Sequence, residues 1–151
     1  MIAVVQRVLT ASVSINNIKK SEINDLGLLI FLCITKKDSK KDAETLYNKI
    51  TNFRIFSDNR KNMNLSIKDI KGSVMIVSQF TLCGNVNSGR RPSFENAAKP
   101  LEAKKLYNNF ISMFEKANLN VKTGKFGANM NVNLTNNGPI TFYFNTNNDE
   151  K

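Results

Sequence analysis

Apolar residues recur at strand spacing over the first part of the chain. The run IAVVQRV at residues 2–8 predicts a strand, and ASVSIN continues it with Val13 and Ile15 on one parity. Asn16-Asn17 marks a turn. LGLLIFLCIT is a near-continuous apolar run of strand length, the pattern of a strand buried on both faces. Ser39 then stands as a helix cap, with Asp42 three residues on as a variant of the capping box. Ala43, Leu46, Tyr47 and Ile50 follow at helical spacing. FRIFSDNRKNMNL reads as a short strand entering a polar turn, and GSVMIVSQF as a strand apolar on both parities. GNVNSGRRPSFENAAKP is loop-like, and Pro100 suits the first turn of a second helix. That helix carries a stripe of Leu101, Leu106, Tyr107, Phe110, Met113, Phe114 and Ala117, expected in the core. Two alternating runs, MNVNLT and ITFYFNT, flank Asn136-Asn137-Gly138-Pro139, where a tight turn is expected.

Strands, helix, strands, helix, strands is an α+β order. It predicts a β-barrel-like mixed sheet with two main helices packed on it. At 151 residues this is a single domain, expected over residues 1–145 with an Asn-rich disordered tail at 146–151. The regular βαβ alternation and glycine-rich phosphate loop of a nucleotide-binding fold are missing from the pattern.

Composition narrows the chemistry. The chain has no histidine, so the usual imidazole base is excluded. Cys33 and Cys83 have no metal-ligand spacing, which leaves no metal and no cofactor in the expectation. With no export signal pattern and no apolar stretch near the ~20 residues of a membrane span, a cytoplasmic protein with reduced thiols is expected. A net charge of +10 nominates an anionic partner such as RNA, although an Asn- and Lys-rich codon bias raises charge equally well.

The candidate chemistry lies in SQFTL, residues 78–82, at the end of an apolar strand. Ser78 and Thr81 point to opposite faces of any regular strand, and a hydroxyl nucleophile needs a base that the sequence does not place nearby. A strand that turns abruptly leaves backbone N–H groups free to stabilise an oxyanion, and Gln79 adds an amide to orient a substrate. The bland alternative is a buried strand end whose polar groups cap neighbouring backbone. In NNGPITF, Pro139 removes a donor beside Gly138, and tight turns are where cis X-Pro bonds collect.

These stretches resemble the D-aminoacyl-tRNA deacylase family of the bacterial and eukaryotic type. The likeness runs from MIAVVQRVLTASVSI through GLLIFLCITKKD, RIFSDNRKNMNLSI, SVMIVSQFTL, RRPSF, LYNNF and GKFGANMNV to NNGPITF. Both signature motifs, SQFTL and Asn-X-Gly-Pro-Val-Thr, are present in order, with Ile140 replacing the usual Val. The resemblance implies hydrolysis of the ester joining a D-amino acid to the 3′ end of tRNA, by a cytoplasmic homodimer with its active site at the subunit interface. Ser78, Gln79, Phe80 and Thr81 would act through backbone amides and positioning. Gly138 and Pro139, joined by a cis bond and supplied by the partner subunit, would select chirality, with Asn137 beside them and Arg7 orienting the motif. Phe126 and Met130 would line the adenine pocket. The ribose 2′-hydroxyl of the tRNA would replace a protein base, and glycyl-tRNA, having no chirality to reject, would be a further substrate.

On this reading Lys36, Lys37, Lys40, Lys41, Arg90, Arg91, Lys99, Lys104, Lys105, Lys122 and Lys125 are candidates for phosphate contacts. A non-enzymatic RNA-binding module and a serine or threonine hydrolase of small esters are the competing classes.

Overall fold

The computed structural model describes residues 1–87 and 89–148. Strand β1 (Ile2–Ile15) is its spine. β6 (Asn131–Asn145) pairs antiparallel along one edge of β1, from Ile2↔Asn145 to Ser14↔Asn131. The other edge is divided between β3 (Gly27–Cys33), opposite Ile2 to Val8, and β2 (Ile18–Ile23), opposite Ala11 to Ile15. β4 (Ser73–Ser78) and β5 (Asn120–Thr123) add in parallel beyond β3. The result is a mixed sheet nearly closed into a barrel, in one domain, as expected.

The two main helices, α1 (Lys40–Asn52) and α3 (Pro100–Lys116), provide the crossovers that parallel pairing requires. Ser39 caps α1 in a full capping box: its Oγ accepts from the Asp42 N–H while the Asp42 carboxylate accepts from the Ser39 N–H at 2.9 Å. Burial alone would raise the Asp42 pKa, but the Ser39 hydrogen bonds outweigh it and hold the carboxyl below its ordinary value. A short helix, α2 (Ile67–Ile70), was not foreseen; Ser66 and Asp69 repeat the same capping box there. The α3 stripe starts later than expected, because Leu101 is 78 % exposed and Ala103 is the first buried position. Around FRIFSD there is a single bridge, Phe56↔Leu65, rather than a strand.

β3 and β4 are buried on both faces, as their unbroken apolar runs predict. Leu28, Ile30, Leu32, Val74 and Ile76 meet Leu46, Ile50, Phe110 and Phe114 of the helices. Leu29, Met75 and Val77 meet Val8, Ala11, Val13 and Ile23 on the opposite face.

Two further expectations change. Cys33 and Cys83 form a disulfide, with Cα atoms 6.6 Å apart, instead of standing as reduced thiols. Register explains their meeting: Leu32 pairs with Ser78, so the chain leaving β4 turns over the end of β3. Within the expected tail, Thr146–Asn148 form a 3-10 turn whose Thr146 is buried and donates its N–H to Met1 O at 2.9 Å; residues 149–151 lie outside the described residues. Among the described residues no helix is long and apolar enough to cross a membrane.

Candidate active site at the end of β4

β4 ends at Ser78, two residues earlier than the apolar run suggests. Gln79 departs from strand geometry (φ −144, ψ 78), and Phe80–Cys83 form a 3-10 turn. The strand thus breaks between Ser78 and Thr81, so strand parity does not govern their directions. A cavity of about 730 Å³ opens here, with Ser78, Gln79 and Phe80 on its wall together with Phe126 and Met130. Thr81 is not on that wall; its hydroxyl accepts a hydrogen bond from Gln79 Nε2.

The backbone at this break has unequal donors. Gln79 N–H is already committed to Leu32 O at 2.8 Å, which removes it from the expected set of free amides. The Phe80 and Thr81 N–H groups, which open the 3-10 turn, meet no acceptor among the described residues.

Aromatic and sulfur groups shape the rest of the cavity. Phe80, 57 % exposed, packs edge-on against Phe94 with centroids 5.0 Å apart. Phe126 rests 5.4 Å from Tyr107, whose hydroxyl donates to Ile76 O at 2.8 Å. Burial raises the Tyr107 pKa, so this phenol is a neutral prop and not an acid or base at neutral pH. Gly124 leaves room for Met130: a Cβ there would lie 2.7 Å from Met130 Sδ, which also accepts from Lys125 N–H at 3.3 Å. The lining includes Lys99 but no carboxylate and no cysteine. Such a wall suits a flat, partly apolar ligand and offers backbone dipoles. Among the described residues no group of three His, Cys, Asp or Glu is placed to hold a metal.

The second motif lies elsewhere in the chain. Gly138-Pro139 is a cis peptide, and it sits in a bulge of β6, not in the expected turn. Both flanks of β6 pair with β1, so the chain continues in one direction: Val8↔Asn136 is followed by Gln6↔Thr141, leaving residues 137–140 opposite Arg7 alone. Gly138 has φ +149, and a Cβ on it would lie 2.6 Å from Ile140 Cγ1 and 2.7 Å from Ile140 N. Asn136 clamps the bulge internally, donating Nδ2 to Ile140 O at 3.0 Å and accepting from Ile140 N–H at 2.7 Å. Arg7 clamps it externally, donating Nε to Asn137 O at 3.0 Å and Nη1 to Ile55 O at 2.5 Å. Burial lowers the Arg7 pKa, but a guanidinium remains charged.

The clamp by Asn136 was missed in the sequence. Its signal was available: an Asn two positions before a Gly-Pro pair can bond backbone a few residues on. Arg7, Asn137, Gly138 and Pro139 do not line the 730 Å³ cavity of their own chain.

Residues 4–145 match the family model described as D-Tyr-tRNA(Tyr) deacylase. A D-aminoacyl-tRNA deacylase of Thermodesulfovibrio yellowstonii is 53 % identical over 97 % of this chain and 99 % of its own. One from Pseudoalteromonas translucida is 47 % identical, covering 94 % and 97 %. A solved structure described as c-Myc DNA Unwinding Element Binding Protein superposes with a TM-score of 0.90 at 37 % identity, covering 97 % of this chain and 99 % of that one. A probable eukaryotic D-amino acid tRNA deacylase superposes at 0.83 with 18 % identity, covering 95 % and 97 %, a likeness of fold alone. With the family model matched over nearly its whole length and full-length relatives at about half identity, the chain belongs to the D-aminoacyl-tRNA deacylase family of hydrolases.

Proposed function

We propose that this protein hydrolyses the ester between a D-amino acid and the 3′-terminal adenosine of tRNA in the cytoplasm. The observation that carries the reading is the cavity at the end of β4, where Ser78, Gln79 and Phe80 face Phe126 and Met130. The adenine packs against Phe126 and Met130, which places the ester over the break after Ser78. Water adds to the ester carbonyl carbon, and the Phe80 N–H, on the cavity wall and without an acceptor among the described residues, receives the negative charge that develops on the carbonyl oxygen. Collapse of the tetrahedral species breaks the bond to the ribose oxygen, which leaves with a proton as the tRNA hydroxyl; the free D-amino acid departs. The lining offers neither imidazole nor carboxylate as a general base, and the adjacent 2′-hydroxyl of the ribose takes that part by positioning the water.

Chirality is read by Gly138-Pro139 of a second copy of the chain in a homodimer. Support comes from the separation of the two motifs within one chain: a bulge clamped on both sides, yet away from the cavity it would serve. Backbone carbonyls at that bulge hold the substrate ammonium group and obstruct an L side chain. Glycine has nothing to obstruct, so glycyl-tRNA is also cleaved. The test is deacylation of matched D-tyrosyl- and L-tyrosyl-tRNA by catalytic amounts of protein. Loss of the D ester with the L ester spared is expected; binding of tRNA with neither ester cleaved would refute the reading.

A further inference from the structure

A second cavity, of about 280 Å³, opens beside the first and shares Ile34 and Ala98 with it. The segment entering α1 contributes Thr35, Lys36 and Lys40, and α3 contributes Lys105 and Asn109, which are one helical turn apart. Thr35 Oγ1 and Asn109 Oδ1 are the buried side-chain polar atoms without a hydrogen-bond partner among the described residues, and both belong to this one cavity. Thr35 is only 7 % exposed, so its side chain is held against the wall of the cavity. A buried polar atom left unpaired is costly, and two on residues lining the same cavity point to a ligand that pairs them.

Charge specifies the ligand further. Asp38 on the same wall is neutralised by the Met1 amino group at 2.6 Å and also accepts from Thr35 N–H at 2.6 Å. That leaves Lys36, Lys40 and Lys105 against Glu102. The site therefore favours an anion that also carries hydroxyl or amino donors for Asn109 Oδ1 and Thr35 Oγ1. A nucleotide has both features.

We propose that this cavity holds the nucleotide preceding the terminal adenosine of the tRNA. The inference rests on the adenosine occupying the first cavity. The phosphodiester leaving that adenosine then reaches the lysines across the shared wall at Ile34 and Ala98. The ribose hydroxyl or cytosine amino group of the preceding residue pairs Thr35 Oγ1 and Asn109 Oδ1.

The test compares two D-tyrosyl esters, of adenosine and of the trinucleotide CCA, and binding of unacylated CCA by fluorescence anisotropy. The wild-type protein is expected to favour the trinucleotide ester in kcat/KM. Thr35→Val and Asn109→Leu are each expected to shrink that preference about five- to tenfold, chiefly through KM, and to weaken CCA binding in parallel. Thr35→Val is also expected to keep or raise the melting temperature, since it removes an unpaired hydroxyl; a structural hydroxyl would lower it. No preference for the trinucleotide ester in the wild type, or variants that lose turnover equally on both esters, overturns the proposal. If neither ester is cleaved but CCA binds in a Thr35-dependent way, the deacylase reading falls while the nucleotide site stands.

Discussion

Arg7 offers the sharpest test of how the bulge in β6 is held. Its guanidinium reaches two carbonyls on different elements, Asn137 O at 3.0 Å in the bulge and Ile55 O at 2.5 Å beyond α1. It faces residues 137–140 across the register shift, so no other β1 side chain can substitute for it. Arg7→Lys keeps the charge but presents a compact ammonium with no rigid fork, and one of the two carbonyls loses its donor. A charge-assisted hydrogen bond contributes about 1.5–3 kcal/mol, and Arg7 is only half-buried, so the lower end of that range applies to stability. If the lost donor is the one to Asn137, the whole of that energy falls on the orientation of Gly138-Pro139, and kcat/KM for D-tyrosyl-tRNA drops about tenfold. Asn136→Ala removes the internal clamp, with its bonds of 2.7 and 3.0 Å to Ile140, and is expected to produce a loss of the same order. Because both residues fix one bulge, the double variant should be less impaired than the product of the two losses. Single-turnover deacylation and thermal melts of the four proteins supply the cycle. Wild-type kcat/KM in Arg7→Lys, or losses that multiply independently, would show that the bulge does not need its clamps.

Four further outcomes follow from the same geometry. Gly138→Ala, which places a Cβ 2.6 Å from Ile140 Cγ1 at φ +149, is expected to abolish D-selective deacylation while the far-ultraviolet dichroism is retained. Mixing and refolding Gly138→Ala with Phe126→Ala should restore about one quarter of wild-type activity, because half the dimers are mixed and each has one intact site; no recovery would place both motifs in one subunit's site. Thr81→Ala should keep kcat/KM within a few-fold, and loss by three orders of magnitude would reinstate a hydroxyl nucleophile. Tyr107 is held neutral by burial, so its folded pKa exceeds the unfolded one; stability is intact below about pH 10 and falls as pH rises further, a decline that Tyr107→Phe should lessen in alkaline melts.

The parts of the fold that were legible in the sequence rest on local rules. The Ser39 cap, the Asn16-Asn17 turn and the doubly buried β3 each follow from a short stretch of residue types. Leu101 misled because Pro100 fixes where α3 begins but not which face its first turn shows to the sheet. The Gly138-Pro139 turn misled for a related reason. Turn chemistry reports a backbone that must bend, and pairing with β1 on both flanks decides that the bend is a bulge. The Cys33–Cys83 bridge joins positions 50 residues apart, and only the parallel register of β3 and β4 brings them together.

The candidate site was legible in a different way, through the likeness of SQFTL and NNGPITF to the motifs of the family. The chain has no histidine, and among the described residues Lys99 is the one ionisable side chain on the cavity wall. The proposed mechanism relies instead on backbone: the Phe80 amide at the break after Ser78 and carbonyls at the bulge before Pro139. Backbone groups are invisible to composition, since every residue has them, and their direction is set by neighbours far away in sequence, Leu32 for Gln79 and Arg7 for Asn137. An active site of this kind tolerates side-chain replacement at the reacting centre better than replacement of the residues that bend the chain. On that ground Ser78→Ala should be milder than Gly138→Ala, even though Ser78 lies on the cavity wall and Gly138 does not.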